Sequence, residues 1–265
     1  MSSPALVEMS GAHGSAMTPR VRADRLLVER GLFESRAKAQ AAIAAGLVTA
    51  DDQPVRRPSD TLAPGAVLTA TPAHPYVSRG AVKLEAALDH FGRDPRFDPG
   101  GRICLDVGAS TGGFTELLAA RGARRVYAVD VGHGQLHPRL KGRPGILSLE
   151  GTDIRSLDPA ELPEPPDFVV IDVSFIPLRQ VMPAALRLIR PPTPANLIAL
   201  IKPQFETPRR AHRKGIVRDP QVHAAVCADL AAFMADQGLA VAGIIPSPIT
   251  GGDGNREFLI GASRD

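Results

Sequence analysis

The chain has 265 residues, 44% of them hydrophobic, which suits one large domain accompanied by a small one. Its 31 basic and 28 acidic residues leave a formal charge of only +3, too little by itself to mark a polyanion binder, and 4% aromatic residues without Trp exclude ring stacking as the main hold on a nucleic acid. Two cysteines with no CxxC read as core residues, so no metal site is expected, and without a membrane-length apolar run or a signal-peptide core the expected compartment is a reducing cytoplasm.

Residues 1–20 are Ser/Gly/Ala/Met-rich without periodicity and read as a disordered tail. A short helix follows over Arg22–Arg30 before Gly31, and Ser35 caps a second over 36–45 that Gly46 closes. Short strands are expected over 47–50, 54–56 and 67–70, giving a small α+β domain over 21–70. Two prolines in Thr71-Pro-Ala-His-Pro75 mark a linker over 71–77. From Tyr76 strand and helix alternate, the signature of a parallel sheet covered on both faces, and the large domain is expected over 78–265. Strands are expected over 102–107, 125–130, 146–150, 167–172, 196–201, 240–246 and 257–262. Helices are expected over 79–91, 112–121, 135–140, 177–190 and 220–237, the last with Asp219 as cap and Pro220 in its first turn.

Basic residues cluster more than the net charge suggests. Pro19–Lys38 holds six basic and three acidic residues, and Pro208–Arg218 holds five basic and no acidic ones. The run Arg209–Lys214 reads equally well as a substrate loop or as an ordinary surface loop. Only five of the 31 basic residues are lysines, so each lysine invites the question of what an amine does that a guanidinium does not.

Three stretches carry chemistry. In Ile103-Cys-Leu-Asp-Val-Gly-Ala-Ser-Thr-Gly-Gly-Phe114, a buried strand enters a Gly-rich turn that opens a helix, and the next strand ends at Asp130, placed to accept ribose hydroxyls. The turn lacks the second glycine of G-x-G-x-x-G that a pyrophosphate requires. S-adenosylmethionine has no phosphate, tolerates Ser110 and Thr111 between Gly108 and Gly112-Gly113, and suits an acidic Asp106 beside its cationic portion; it is the better fit. Asp153, after the third strand, reads either as an adenine contact or as a turn former. The fourth strand ends at Asp172 without an Asn/Asp-Pro-Pro-aromatic signature, and no cysteine sits there to act as a nucleophile, which leaves methyl transfer to an oxygen. Lys202 ends the apolar run Leu197–Ile201, where Pro203 stops the strand. Near Asp172 its amine can orient or deprotonate a hydroxyl; alone it would read as a lysine reaching to solvent. Lys83, flanking the apolar stripe of its helix, and Glu257, opening the last strand, would each alone read as a surface charge.

Together, Lys83, Asp172, Lys202 and Glu257 resemble the K-D-K-E tetrad of FtsJ-like ribose 2′-O-methyltransferases. The contexts Val77-Ser-Arg-Gly-Ala-x-Lys-Leu84, Ile171-Asp-Val-Ser-Phe-Ile176, Ile201-Lys-Pro-Gln-Phe-Glu206 and Gly254-Asn-x-Glu-Phe258 are similar to the TlyA/haemolysin A family, and Arg22–Val67 resembles an S4 RNA-binding domain. The resemblance implies a Rossmann-like seven-stranded methyltransferase sheet with an N-terminal S4 domain, S-adenosylmethionine as donor, and a cytidine ribose of ribosomal RNA in one or both subunits as acceptor. It implies Lys202 held by Asp172 and Glu257, with Lys83 helping to fix the hydroxyl. Arg22, Arg25, Arg36, Lys38 and Arg79 are the implied RNA contacts, and Gly108, Ser110, Thr111, Gly112, Gly113 and Phe114 join Asp106, Asp130 and Asp153 around the donor. The sequence departs from the family at Asp51-Asp52-Gln53, where an Asn-Gly turn is usual, and in a linker without Trp. A membrane-damaging haemolysin, the activity in the family's name, would need an insertion segment of which the sequence shows none.

Overall fold

The computed structural model describes residues 19–189, 194–208 and 215–264, divided into two units between Pro75 and Tyr76. The basic run Arg209–Lys214 and nearly all of the expected N-terminal tail lie outside the described residues.

The first unit contains β1 (Val21–Arg22), α1 (Ala23–Glu29), α2 (Arg36–Ala44), β2 (Val48–Ala50), β3 (Gln53–Pro54), β4 (Thr61–Leu62) and β5 (Leu68–Ala70). Ser35 caps α2 as its sequence suggests, its hydroxyl accepting from the Lys38 amide at 3.3 Å. β2 pairs antiparallel with β3 and β5, while β1 pairs with β4; at two residues each, β1 and β4 are too short to show alternation in the sequence. Leu27, Phe33, Ile43, Val48 and Val55 fill the core. Asp51 (φ 49°) and Asp52 (φ 61°) both take the left-handed conformation that a tight hairpin demands, and the Asp51 carboxylate accepts from the Val67 amide. The Asp-Asp pair therefore makes the turn that Asn-Gly makes elsewhere.

The second unit begins at Tyr76, where the alternation of strand and helix begins in the sequence. Tyr76 and Val77, expected in the linker, are already tied to it: the Tyr76 hydroxyl donates to Glu85 and the Val77 amide to Glu116. The elements are α3 (Gly80–Phe91), β6 (Ile103–Val107), α4 (Gly113–Ala120), β7 (Arg125–Asp130), β8 (Ile146–Glu150), β9 (Phe168–Ile171), α5 (Leu178–Arg187), β10 (Ala195–Ile201), α6 (Pro203–Glu206), α7 (Pro220–Asp236), β11 (Ala240–Pro246) and β12 (Phe258–Arg264). One sheet of seven strands runs β11-β12-β10-β9-β6-β7-β8. It is mixed rather than parallel, because β12 pairs antiparallel with both β10 and β11. The segment joining β11 to β12 holds no helix, and a parallel return needs a crossover of a dozen residues or more, usually helical.

Alternate residues divide the sheet between two cores. Cys104, Val126, Phe168, Val170, Ile198, Leu200 and Leu259 pack under α3 and α4. Leu105, Val107, Val169, Ile171, Leu197, Ala199, Ile201 and Ile260 pack under α5 and α7. The expected helix over 135–140 does not form. Pro138 has no amide to donate, the Gln135 and Leu136 amides donate to Glu150, and the His137 amide donates to the Thr111 carbonyl. Leu136 and Leu140 instead pack the loop onto Val77, Ala109 and Ala128.

Candidate active site

The period of two that sorts the cores also aims the polar residues at the strand ends. Leu200 faces α3, so Lys202 projects to the same side; Val170 puts Asp172 there, and Leu259 puts Glu257 there. Lys83 meets them from α3 itself. Its position is a correction to the flanking surface charge read from the sequence: it lies inside the apolar stripe, one turn before Ala87, and is only 6% exposed. A lysine so buried needs a partner, and it has one. Its Nζ donates to Glu257 Oε2 at 2.5 Å, and Glu257 is 4% exposed.

The four residues therefore form two ion pairs. Lys202 Nζ stands 2.6 Å from Asp172 Oδ1, off the direction of a hydrogen bond, and its directed bond of 2.9 Å goes to Ser174 Oγ. The expectation that Asp172 and Glu257 together hold Lys202 is corrected in this respect: Glu257 holds Lys83, and Ser174 takes the second place at Lys202. The Glu257 loop is itself anchored, since Asn255 accepts from the Val217 amide and donates to the Gly215 carbonyl.

β6 is the strand at which the order reverses, β7 and β8 lying to one side and β9 and β10 to the other, and such a reversal opens a crevice at the carboxyl edge of a sheet. Two clefts occupy it. The larger, about 530 Å³, is lined by Gly108, Ser110, Asp130, Asp153 and the apolar Val107, Val131 and Ile154, among others. The smaller, about 240 Å³, is lined by Lys83, Lys202, Arg79, Gly113 and Phe114, among others. Gly108, Ser110, Asp172 and Ser174 belong to both walls. Glu257 belongs to neither and stands behind Lys83.

The turn between β6 and α4 is shaped by its neighbours as much as by any ligand. Gly108 (φ 86°) lies so close to β9 that a Cβ would come 2.3 Å from the Asp172 carbonyl oxygen, and at Gly112 (φ 95°) a Cβ would come 2.4 Å from Leu140 Cδ1. Asp130 binds the turn from below, accepting from the Ser110 amide at 2.8 Å and the Gly132 amide at 2.7 Å. Asp153 lines the larger cleft, and its carboxylate bonds the Arg155 amide and guanidinium, as a turn former does. Thr111 and Gly112 line neither cleft.

Asp106 also stands behind the walls. It is fully buried, its Oδ2 accepts from Thr115 Oγ1 at 2.6 Å, and its Oδ1 has no partner. Burial pushes its carboxyl up to about 7 from an ordinary 3.8, with the Thr115 bond pulling the other way. A folded chain that keeps this proton longer than the unfolded chain loses stability as pH rises from about 4 to about 7. The loss is at most on the order of 4 kcal/mol for a shift of this size. Asp106→Asn preserves the Thr115 bond and removes the ionisation. Thermal melts of the cofactor-free protein should therefore show the variant gaining on wild type between pH 4 and pH 8; a pH-independent difference would contradict this assignment.

Sequence reasoning missed Ser174 and Phe175. Phe175 lines the larger cleft at φ 67° and is 89% exposed, its ring 5.1 Å from that of Phe205. An exposed aromatic inside Asp-Val-Ser-Phe was the available signal. The sequence-derived RNA contacts divide between the units. Arg79 lies at the start of α3, while Arg22, Arg25, Arg36 and Lys38 belong to the first unit. Arg25 and Lys38 pair one turn away with Glu29 and Glu34; Arg22 and Arg36 both bond Asp24.

Comparison with known proteins gives the family of both units. The family model of the FtsJ-like methyltransferases matches residues 76–264, and that of the S4 domain matches residues 21–68. The 16S/23S rRNA (cytidine-2′-O)-methyltransferase TlyA of Mycobacterium tuberculosis is 40% identical over 247 residues, 92% of this chain and 90% of that protein. Hemolysin A of Brachyspira hyodysenteriae is 35% identical over 244 residues, 90% of this chain and 98% of that one. A solved structure from Streptococcus thermophilus that carries a hemolysin name superposes with a TM-score of 0.72 at 38% identity, covering 93% of this chain and 89% of that one. No helix among the described residues is long and apolar enough to cross a membrane. With the matched models spanning both units, the chain belongs to the FtsJ-like methyltransferase family and carries an S4 domain at its N-terminus.

Proposed function

We propose that this chain transfers the methyl group of S-adenosylmethionine to the 2′-hydroxyl of a ribose in ribosomal RNA, with cytidine as the nucleoside that the names of its relatives give for theirs. The observation that carries the reading is the pair of adjoining clefts: one is suited to the donor, the other holds two lysines, and Asp172 and Ser174 lie in the wall between them.

The larger cleft fits the donor chemically. Val107, Val131 and Ile154 offer apolar contact to a nucleoside, Asp130 and Asp153 offer acceptors, and the unpartnered Asp106 Oδ1 lies beneath the turn, where a bound cation would favour loss of the proton that burial otherwise retains. When bound, the donor supplies a sulfonium methyl open to in-line attack. The protein's own part is played in the smaller cleft. Lys202, held by Asp172 and Ser174, orients the 2′-hydroxyl; having first released the proton of its ammonium to solvent, the amine would take the hydroxyl proton as the O–C bond forms and the bond from methyl to sulfur breaks, and Asp172 stabilises the charge that this restores on Nζ. Lys83 brings a fixed positive charge to the developing alkoxide, and Glu257 is a positioning residue acting through it. Much of the acceleration is positional, because the donor is already reactive. The S4 unit supplies contacts to the RNA backbone, which set register without reading bases.

The test is transfer of radiolabelled methyl from S-adenosylmethionine to ribosomal subunits and to naked ribosomal RNA. Incorporation into either is the expected outcome. Failure on every ribosomal RNA substrate would overturn the reading and leave an RNA-binding protein without transferase activity.

A further inference from the structure

The S4 unit contains a side-chain cluster that the transfer reaction does not use. Asp24, in the first turn of α1, is fully buried, yet its carboxylate is not left to the core. Arg22 approaches it with two nitrogens, Nε to Oδ1 and Nη2 to Oδ2, both at 3.1 Å. Arg36 reaches Oδ2 from α2 with Nη2 at 2.7 Å and Nε at 3.2 Å, and the Gln40 amide donates to the same oxygen at 2.8 Å. The Arg22 hydrogen bond, with Arg36 and Gln40 adding to it, holds the Asp24 carboxyl well below the usual carboxylate range against the opposing effect of burial.

Charge and exposure distinguish this cluster from a folding contact. Two guanidiniums share one carboxylate, so one positive charge remains uncompensated. The two arginine side chains stay 47% and 56% exposed while Asp24 is sealed beneath them. Each guanidinium has five N–H donors in a rigid plane and spends only Nε and Nη2 on Asp24, leaving Nη1 available in a fixed direction. The other basic residues of this helix pair are balanced differently: Arg25 and Lys38 are each offset by one exposed glutamate a turn away. An excess of one charge, presented by two planar donors, matches a phosphodiester.

We propose that Asp24 is a positioning residue that fixes Arg22 and Arg36 side by side as a two-guanidinium clamp for one phosphate of the RNA backbone. This rests on the RNA substrate proposed above and says which of the basic residues act together and what holds them.

The test uses the full chain and the anisotropy of a labelled ribosomal RNA transcript. Asp24→Asn keeps the size of the side chain and removes its negative charge. If Arg22 and Arg36 acted as independent charges, that change would tighten binding. A clamp that loses its anchor weakens binding, by about tenfold for one charge-assisted contact set free. In an Arg22→Gln/Arg36→Gln background the same change should have no further effect. Arg36→Lys, which does not disturb the core, preserves charge but loses the fork, and should cost about as much as Asp24→Asn. Equal or tighter binding by Asp24→Asn, an equal loss in the Arg22→Gln/Arg36→Gln background, or unchanged binding by Arg36→Lys would each overturn the proposal. Wild-type protein that did not bind the transcript would overturn it together with the RNA reading, whereas wild-type binding with unaffected variants would sink the clamp alone.

Discussion

Lys202→Ala should abolish measurable methyl transfer, with a fall of roughly 10²–10⁴-fold, the usual range for a positioned proton acceptor. The fold should survive. Lys202 lies at the end of β10 rather than within it, and its partner Asp172 lines both clefts, where water can reach the carboxylate once the amine is gone. The melting temperature should stay within about 5 °C of wild type, the shift expected for a loss near 1 kcal/mol. Lys202→Arg is the sharper variant. It keeps the charge beside Asp172, but a guanidinium does not accept a proton at neutral pH and is too broad and planar for the place of an ammonium next to Ser174. Activity restored by arginine would show that charge alone is required and would remove Lys202 as the acceptor of the proton.

The buried pair Lys83–Glu257 should show a different pattern, because both partners are sealed from solvent. Lys83→Met strands a carboxylate in the core and should cost about 3–5 kcal/mol, whereas replacing both partners by apolar residues is often neutral. Lys83→Met combined with Glu257→Leu should therefore recover most of the lost stability while methyl transfer stays absent. Chemical denaturation and transfer assays on the single and double variants check this. Recovery of activity along with stability would mean that the pair serves folding only; failure of the double variant to recover stability would mean that the surrounding loop needs the charge of Glu257.

The part of the site that was readable in the sequence is the part fixed by strand periodicity. A run of apolar residues ending in a charge places that charge at the sheet edge, and parity assigns it a face, so Asp172 and Lys202 could be placed together before any coordinates. Pairing could not be read that way. Which lysine takes which carboxylate depends on where α3 crosses the strand ends, and nothing local to Lys83 states that it is buried. The loop over 135–140 misled because its leucines carry helical spacing, while Pro138 has no amide to donate and the acceptors Glu150 and Thr111, both remote in sequence, divert the amides before it. β12 misled for a simpler reason: alternation reports a strand, and direction comes from the connection before it. In the S4 unit, the arginines were legible as a basic cluster, but their common dependence on Asp24 requires three elements folded together.

The most direct measurement of the central claim, that the two lysines and their carboxylates serve attack by a ribose oxygen, is the identity of the methylated nucleoside. Ribosomal RNA methylated by the purified protein, digested to nucleosides and separated, should carry its label as 2′-O-methylcytidine, and that label should vanish with Lys202→Ala. Label found on a base, or on a ribose with Lys202→Ala as active as wild type, would contradict the account.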